Sequence, residues 1–210
     1  MKYLGKPAGM WALFAGSFEK HLTVEFDLTA GQAKDVAARA KKKYREIIAK
    51  LPEFDKRDRF EMNIVNCAML AAFILCMPQR PDIKTLTDYY AAAMMTPTMK
   101  AFCRASGKKK FTPKDIEGMK ATAKLRAGDR NPYSWNMDFF EYEDGSGYEA
   151  RFTTCGICRL MQVLGLYDLT PALCHLDYTM SDAGGASDFV REYTLASGGP
   201  YCDCGYHKKQ

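Results

Sequence analysis

Thiols and carboxylates crowd the last third of this 210-residue chain. Cys155-Gly-Ile-Cys158, Leu173-Cys174-His175-Leu176-Asp177 and Tyr201-Cys202-Asp203-Cys204 hold five of its eight cysteines, and His175 and His207 are two of its three histidines. Such groups bind metals or attack electrophilic carbon, and nothing upstream is comparable. Cys155 and Cys158 lie three apart at an expected helix start, so they share a face where the helix N-terminus lowers a thiol pKa. Cys174 and Asp177 are spaced alike on the next expected helix. Cys202 and Cys204 lie two apart on an expected strand and face one side, with Asp203 and His207 on the other. Convergence of these faces would gather up to five thiols and one carboxylate. Zinc or another divalent metal is one use of such a set, with Cys155, Cys158, Cys174 and Cys202 as candidate ligands. The plain alternative is that these thiols pack between helix and sheet.

The elements that must position these residues follow from periodicity. Thr29-Ala-Gly-Gln32 has the form of a capping box, and Val36, Ala40, Tyr44, Ile47, Ile48 and Leu51 recur at helical spacing until Pro52. Further helices are expected over 55–77 and 81–95. Thr96-Pro97, Thr112-Pro113 and Thr170-Pro171 each pair a capping hydroxyl with a proline suited to a first helical turn. The helix from Pro113 should close near Gly128 in a left-handed cap. Alternation over 135–140 and 148–154 around Asp144-Gly-Ser-Gly147 predicts a hairpin. Helices are expected from Cys155 to Leu166 and from Pro171 to about Ser181. Strands over 188–196 and 201–207 then flank Ser197-Gly-Gly-Pro200 as a second hairpin. The fold class is α+β in one domain, 1–210. A mainly helical part, 1–130, packs on an antiparallel sheet of about four strands with two intervening helices, 131–210.

Composition excludes several classes. A mean hydropathy of -0.32 and 24 Phe and Tyr residues describe a globular chain, and the most apolar run, Ile64 to Met77, is shorter than the roughly 20 residues of a bilayer span. No secretory signal is evident, and eight cysteines without one point to reduced thiols in a cytoplasm. Cys67, Cys76 and Cys103 fall in apolar helical segments and read as core. Residues 1–134 carry 25 Lys and Arg against 14 Asp and Glu, and residues 135–210 carry 5 against 11. The basic half has no nucleic-acid-binding motif. Lys41-Lys42-Lys43 and Lys108-Lys109-Lys110 read as solvated faces or loops, so the expected partner is a small molecule rather than nucleic acid or membrane.

The residues also carry a family resemblance. Cys155, then Gly165-Leu-Tyr-Asp-Leu-Thr-Pro-Ala-Leu-Cys174-His-Leu-Asp177-Tyr178, Arg191-Glu-Tyr-Thr-Leu-Ala-Ser-Gly198 and Cys202-Asp203 resemble the C-terminal signature of the L-2-amino-thiazoline-4-carboxylic acid hydrolase family. The likeness covers about residues 150 to 206, and Cys204 stands where the pattern usually has an aromatic residue. It implies hydrolysis of a C–N or C–S bond in a small cyclic amidine or thiazoline. A thiolate or a metal-activated water would attack C2, and a carboxylate would hold the amidinium and carry protons. The resemblance makes Cys174 the leading nucleophile or metal ligand and Asp177 the amidinium anchor or proton carrier. It makes Cys155 and Cys202 ligands or supporting thiols, and Arg191 the partner of the substrate carboxylate. The alternative function is a non-catalytic small-molecule-binding or zinc-binding module. A third reading, dithiol–disulfide cycling at Cys155 and Cys158, lacks the βαβ context of such redox motifs.

Overall fold

The computed structural model describes residues 1–210 and is α+β. Six helices come first: α1 (Lys6–Glu25), α2 (Ala30–Lys50), α3 (Glu61–Ile74), α4 (Ile83–Met94), α5 (Pro97–Gly107) and α6 (Pro113–Arg126). Hairpin strands β1 (Asp138–Glu141) and β2 (Gly147–Phe152) follow, then α7 (Gly156–Val163), α8 (Thr170–Cys174) and α9 (Leu176–Gly184), and finally β3 (Ser187–Val190) and β4 (Cys202–Lys208). No helix is long and apolar enough to cross a membrane.

Three of the four hydroxyl caps expected from the sequence are made. Thr29 and Gln32 form the reciprocal capping box, and the Thr96 and Thr112 hydroxyls accept from the backbone N–H groups of Met99 and Asp115. Thr170 differs. It lies inside α8 after Leu169, and its hydroxyl is buried without a partner. Gly128 also departs from expectation, because α6 closes at Ala127 in ordinary helical backbone. Helix α1 starts without a side-chain cap, after Gly5. In the fold Met10, Trp11, Phe14, Phe18 and Leu22 line its buried face at helical spacing. Its aromatic residues meet α3, with Trp11 stacked on Phe73 at 5.6 Å and Phe18 at 5.1 Å from the same ring.

The sheet is antiparallel throughout, in the order β1-β2-β4-β3. The register pairs Tyr148 with Tyr206, Ala150 with Cys204 and Phe152 with Cys202. Tyr148, Ala150, Cys202, Cys204 and Phe189 are buried in a second core of seven residues, separate from the 37-residue core of the helices. Phe60 and Phe152 pack against both. The last hairpin keeps its expected pairing but β3 is short, and Arg191 onward forms a loop with one helical turn at Leu195–Ser197.

Two local devices set the distance between helices and sheet. Arg126 at the end of α6 donates to Asp58 at 2.6 Å, and Ser134 donates to the same carboxylate, all three groups being buried. A buried charge is tolerable when paired and hydrogen-bonded this way, and the network ties α6 to the chain ahead of α3 and of β1. The crossing of α5 and α9 depends on glycine. A Cβ on Gly107 would sit 2.2 Å from the Gly184 carbonyl oxygen.

Candidate active site

Arg191 is the hub around which the C-terminal signature assembles. Its guanidinium donates to Asp177 Oδ2 at 2.7 Å, to the Cys174 carbonyl, and weakly to Cys204 Sγ at 3.8 Å. It also lies 5.4 Å from the Tyr178 ring centre and 5.0 Å from that of Phe189. Its side chain is 5% exposed. Its two terminal nitrogens thus donate within the protein, to Asp177 and to the Cys174 carbonyl. Asp203 explains part of the placement. Its carboxylate accepts the backbone N–H groups of Glu192 at 2.9 Å and Tyr193 at 2.7 Å, which fixes the chain just after Arg191.

Asp177 is deep among protein atoms, and burial raises its carboxyl above the usual range while Arg191 pulls it back down. Its side chain is nevertheless 46% accessible, because the residue lines an open-sided cavity of about 310 Å³. That is near the lower end of small-molecule sites, about 300 Å³. The cavity lies between α5, α6 and α9 on one side and the sheet on the other, with Met119, Met137 and Phe152 in its apolar wall. Three further charged side chains line it: Arg59, Lys110 and Asp115. Asp115 Oδ2 accepts the Phe111 N–H at 2.9 Å and the Tyr148 hydroxyl at 3.1 Å. Lys110 rests 3.3 Å from the centre of the Tyr206 ring, and burial pushes its ammonium down to about 8. The sequence singles out neither Arg59 nor Asp115, and gives Lys110 only as part of a run read as a solvated face or loop. The signal was faint, a Lys run directly before the Thr112-Pro113 helix start.

The five C-terminal thiols sit apart from the cavity wall, to which Cys103 of α5 is the one cysteine that contributes. Cys174 closes α8 and Asp177 opens α9, so a helix junction at His175 separates residues expected on one helix. Burial pushes the Cys174 thiol up to about 12, against the lowering effect of Arg191. Cys155 caps α7, where a depressed pKa was expected. The direction is reversed, chiefly because the Cys155 thiol shares a hydrogen bond with Cys158 and then because it is buried. Burial also raises Cys202, whose sulfur accepts the Leu195 N–H at 3.2 Å, and Cys204. All eight cysteines are free thiols. No three His, Cys, Asp or Glu side chains converge as metal ligands, so Cys155, Cys158, Cys174 and Cys202 do not form the set expected of them. His175 is exposed beside Tyr178, and His207 stacks on Tyr142 at 4.7 Å; neither lines the cavity.

What this arrangement offers chemically is a carboxylate of raised pKa, held by a buried arginine, facing a partly apolar chamber that also contains two cations. No curated protein and no solved structure matches the chain. Residues 62–206, which include Lys110, Asp115, Asp177, Arg191 and the C-terminal thiols, match the family described as L-2-amino-thiazoline-4-carboxylic acid hydrolase, and the chain belongs to that family.

Proposed function

We propose that the protein hydrolyses a small cyclic amidine bearing a carboxylate, of the 2-amino-thiazoline-4-carboxylate kind, and that the ring binds in the cavity with its amidine against Asp177. The observation that carries this reading is the Asp177 carboxylate, anchored through Oδ2 to Arg191 at 2.7 Å while the residue lines the cavity. A carboxylate there can hold the amidinium, and its raised pKa makes it a better base than an exposed one. Water adds to C2 of the amidinium and gives one proton to Asp177. The C2–S bond then breaks, the sulfur leaves as a thiolate that takes that proton, and the proton left on the C2 hydroxyl passes to solvent as the carbonyl forms. The product is an N-carbamoyl amino acid with a free thiol.

Arg191 acts as a positioning residue in this scheme. Cys174, the leading nucleophile from sequence, fits it less well, because its thiol is protonated at neutral pH and does not line the cavity. Its carbonyl instead helps to seat Arg191.

The test is to incubate the purified protein with L-2-amino-thiazoline-4-carboxylate and follow both substrate loss and free thiol. One thiol released per substrate consumed is expected. Substrate loss without thiol would move the cleavage to a C–N bond, and no turnover would overturn the hydrolytic reading in favour of a binding module.

A further inference from the structure

We infer that Lys110, with Arg59 beside it on the cavity wall, receives the carboxylate of the ligand and sets the site's preference for anionic rings over uncharged ones. This deepens the hydrolase reading above and rests on the same cavity. Lys110 forms no ion pair. Its ammonium is surrounded by ring faces, 3.3 Å from the centre of Tyr206, 5.1 Å from Tyr148 and 5.6 Å from Phe111. Such faces stabilise a cation without neutralising it. Arg59 likewise meets only neutral acceptors, Met119 Sδ at 3.5 Å and Thr122 Oγ1 at 3.4 Å. Both carboxylates of the cavity already have donors, Asp115 from Phe111 and Tyr148, and Asp177 from Arg191. Arg191 stands off the wall and pairs with Asp177, so of the lining charges Lys110 and Arg59 face the one remaining carboxylate, Asp115, and one positive charge is left for a ligand to match.

The backbone is arranged to aim Lys110 inward. Lys108 and Lys109 are exposed, but Phe111 takes a left-handed conformation with φ 62, uncommon for a bulky residue. Two contacts hold it there, the N–H bond to Asp115 and packing on Tyr148 at 5.2 Å between ring centres. Strain kept at a position bordering a site is a functional signal when the surroundings enforce it. Asp177 from α9 and Lys110 from the α5–α6 connection thus offer opposite charges to one zwitterion.

The experiment is calorimetric binding of thiazolidine-4-carboxylate and of thiazolidine, the same ring without its carboxylate, to the wild type, Lys110→Met, Lys110→Arg and Arg59→Gln. The wild type should bind the carboxylate about tenfold more tightly, the size of one charged hydrogen bond. Lys110→Met should lose that preference, Lys110→Arg should keep it, and Arg59→Gln should weaken it with the exposed surface otherwise unchanged. Equal binding of both rings by the wild type, no binding of either, or an intact preference in folded Lys110→Met would overturn the assignment. Neither probe is a substrate, so the two readings fail separately. Lys110-dependent binding without turnover of the thiazoline sinks only the hydrolase, whereas turnover with an unchanged KM in Lys110→Met sinks only this assignment.

Discussion

Around Trp11, Phe18 and Phe73 the rings pack at 5.1 to 5.6 Å within a core of 37 buried residues, whereas between α6, α9 and the sheet the buried apolar set falls to seven and charged side chains line a cavity. Both regions use the same kinds of residue. The helical part fills its volume with them, and the sheet part arranges Tyr148, Tyr206 and Phe152 as walls. Stability is thereby concentrated in one region, which leaves the other free to hold unpaired cations and a carboxylate of raised pKa that a filled core would exclude.

The largest effect should come from opening the filled side. Phe73→Ala removes a fully buried ring and should cost about 3–5 kcal/mol in urea unfolding. Met137→Ala, on the wall of the existing cavity, should cost less than about 2 kcal/mol, because that volume is already open. Equal losses would erase the distinction between the two regions. Next comes the charge of the open side. Asp177→Asn keeps an acceptor for Arg191 and should leave the fold intact, while turnover falls by about a hundredfold or more. In the wild type, turnover should decline as the pH drops through the raised Asp177 pKa, since the base must be ionised. An acid limb no higher than that of an ordinary carboxylate would remove Asp177 from the role of base.

Much of this architecture was legible in the chain, and the exceptions have physical causes. Thr29, Thr96 and Thr112 announced their helices because capping is local chemistry, and the alternation around Asp144-Gly-Ser-Gly147 announced the first hairpin. Helix α1 is an exception, because no side-chain cap marks its start after Gly5. Asp177, the Cys174 carbonyl and Cys204, which stands where the signature usually has an aromatic residue, gather around the Arg191 guanidinium. Which of them would face open space was not legible, because that depends on how α5 and α9 stand off the sheet. Lys110 lies in a loop, one of the two readings of its Lys run, but that its side chain turns inward was not legible, since a Lys run looks alike whether its last residue turns out or in.

A smaller effect is expected at the α5–α9 crossing that sets this stand-off. Gly107→Ala would place a methyl group 2.2 Å from the Gly184 carbonyl oxygen, a clash that only backbone movement relieves. A loss of about 1–3 kcal/mol should follow, together with a raised KM from the displaced wall. Unchanged thermal unfolding would mean that the two helices slide freely. The open side would then owe its volume to the sheet instead.

Cys174→Ala should have the least effect on turnover, and it separates the thiols from the cavity as sharply as Asp177→Asn joins the carboxylate to it. The Cys174 thiol is held up to about 12 and lies off the cavity wall, while its carbonyl, which the substitution keeps, does the work of binding Arg191. Turnover should therefore stay within a few-fold of the wild type, with a stability loss below about 2 kcal/mol from the lost packing. Complete loss of turnover in a folded Cys174→Ala would require the α8–α9 junction to open in the substrate complex and bring the sulfur to C2. Alkylation of Cys174 by iodoacetamide, read by mass spectrometry with and without thiazolidine-4-carboxylate, distinguishes the cases: a thiol outside the cavity is not protected by a ligand inside it.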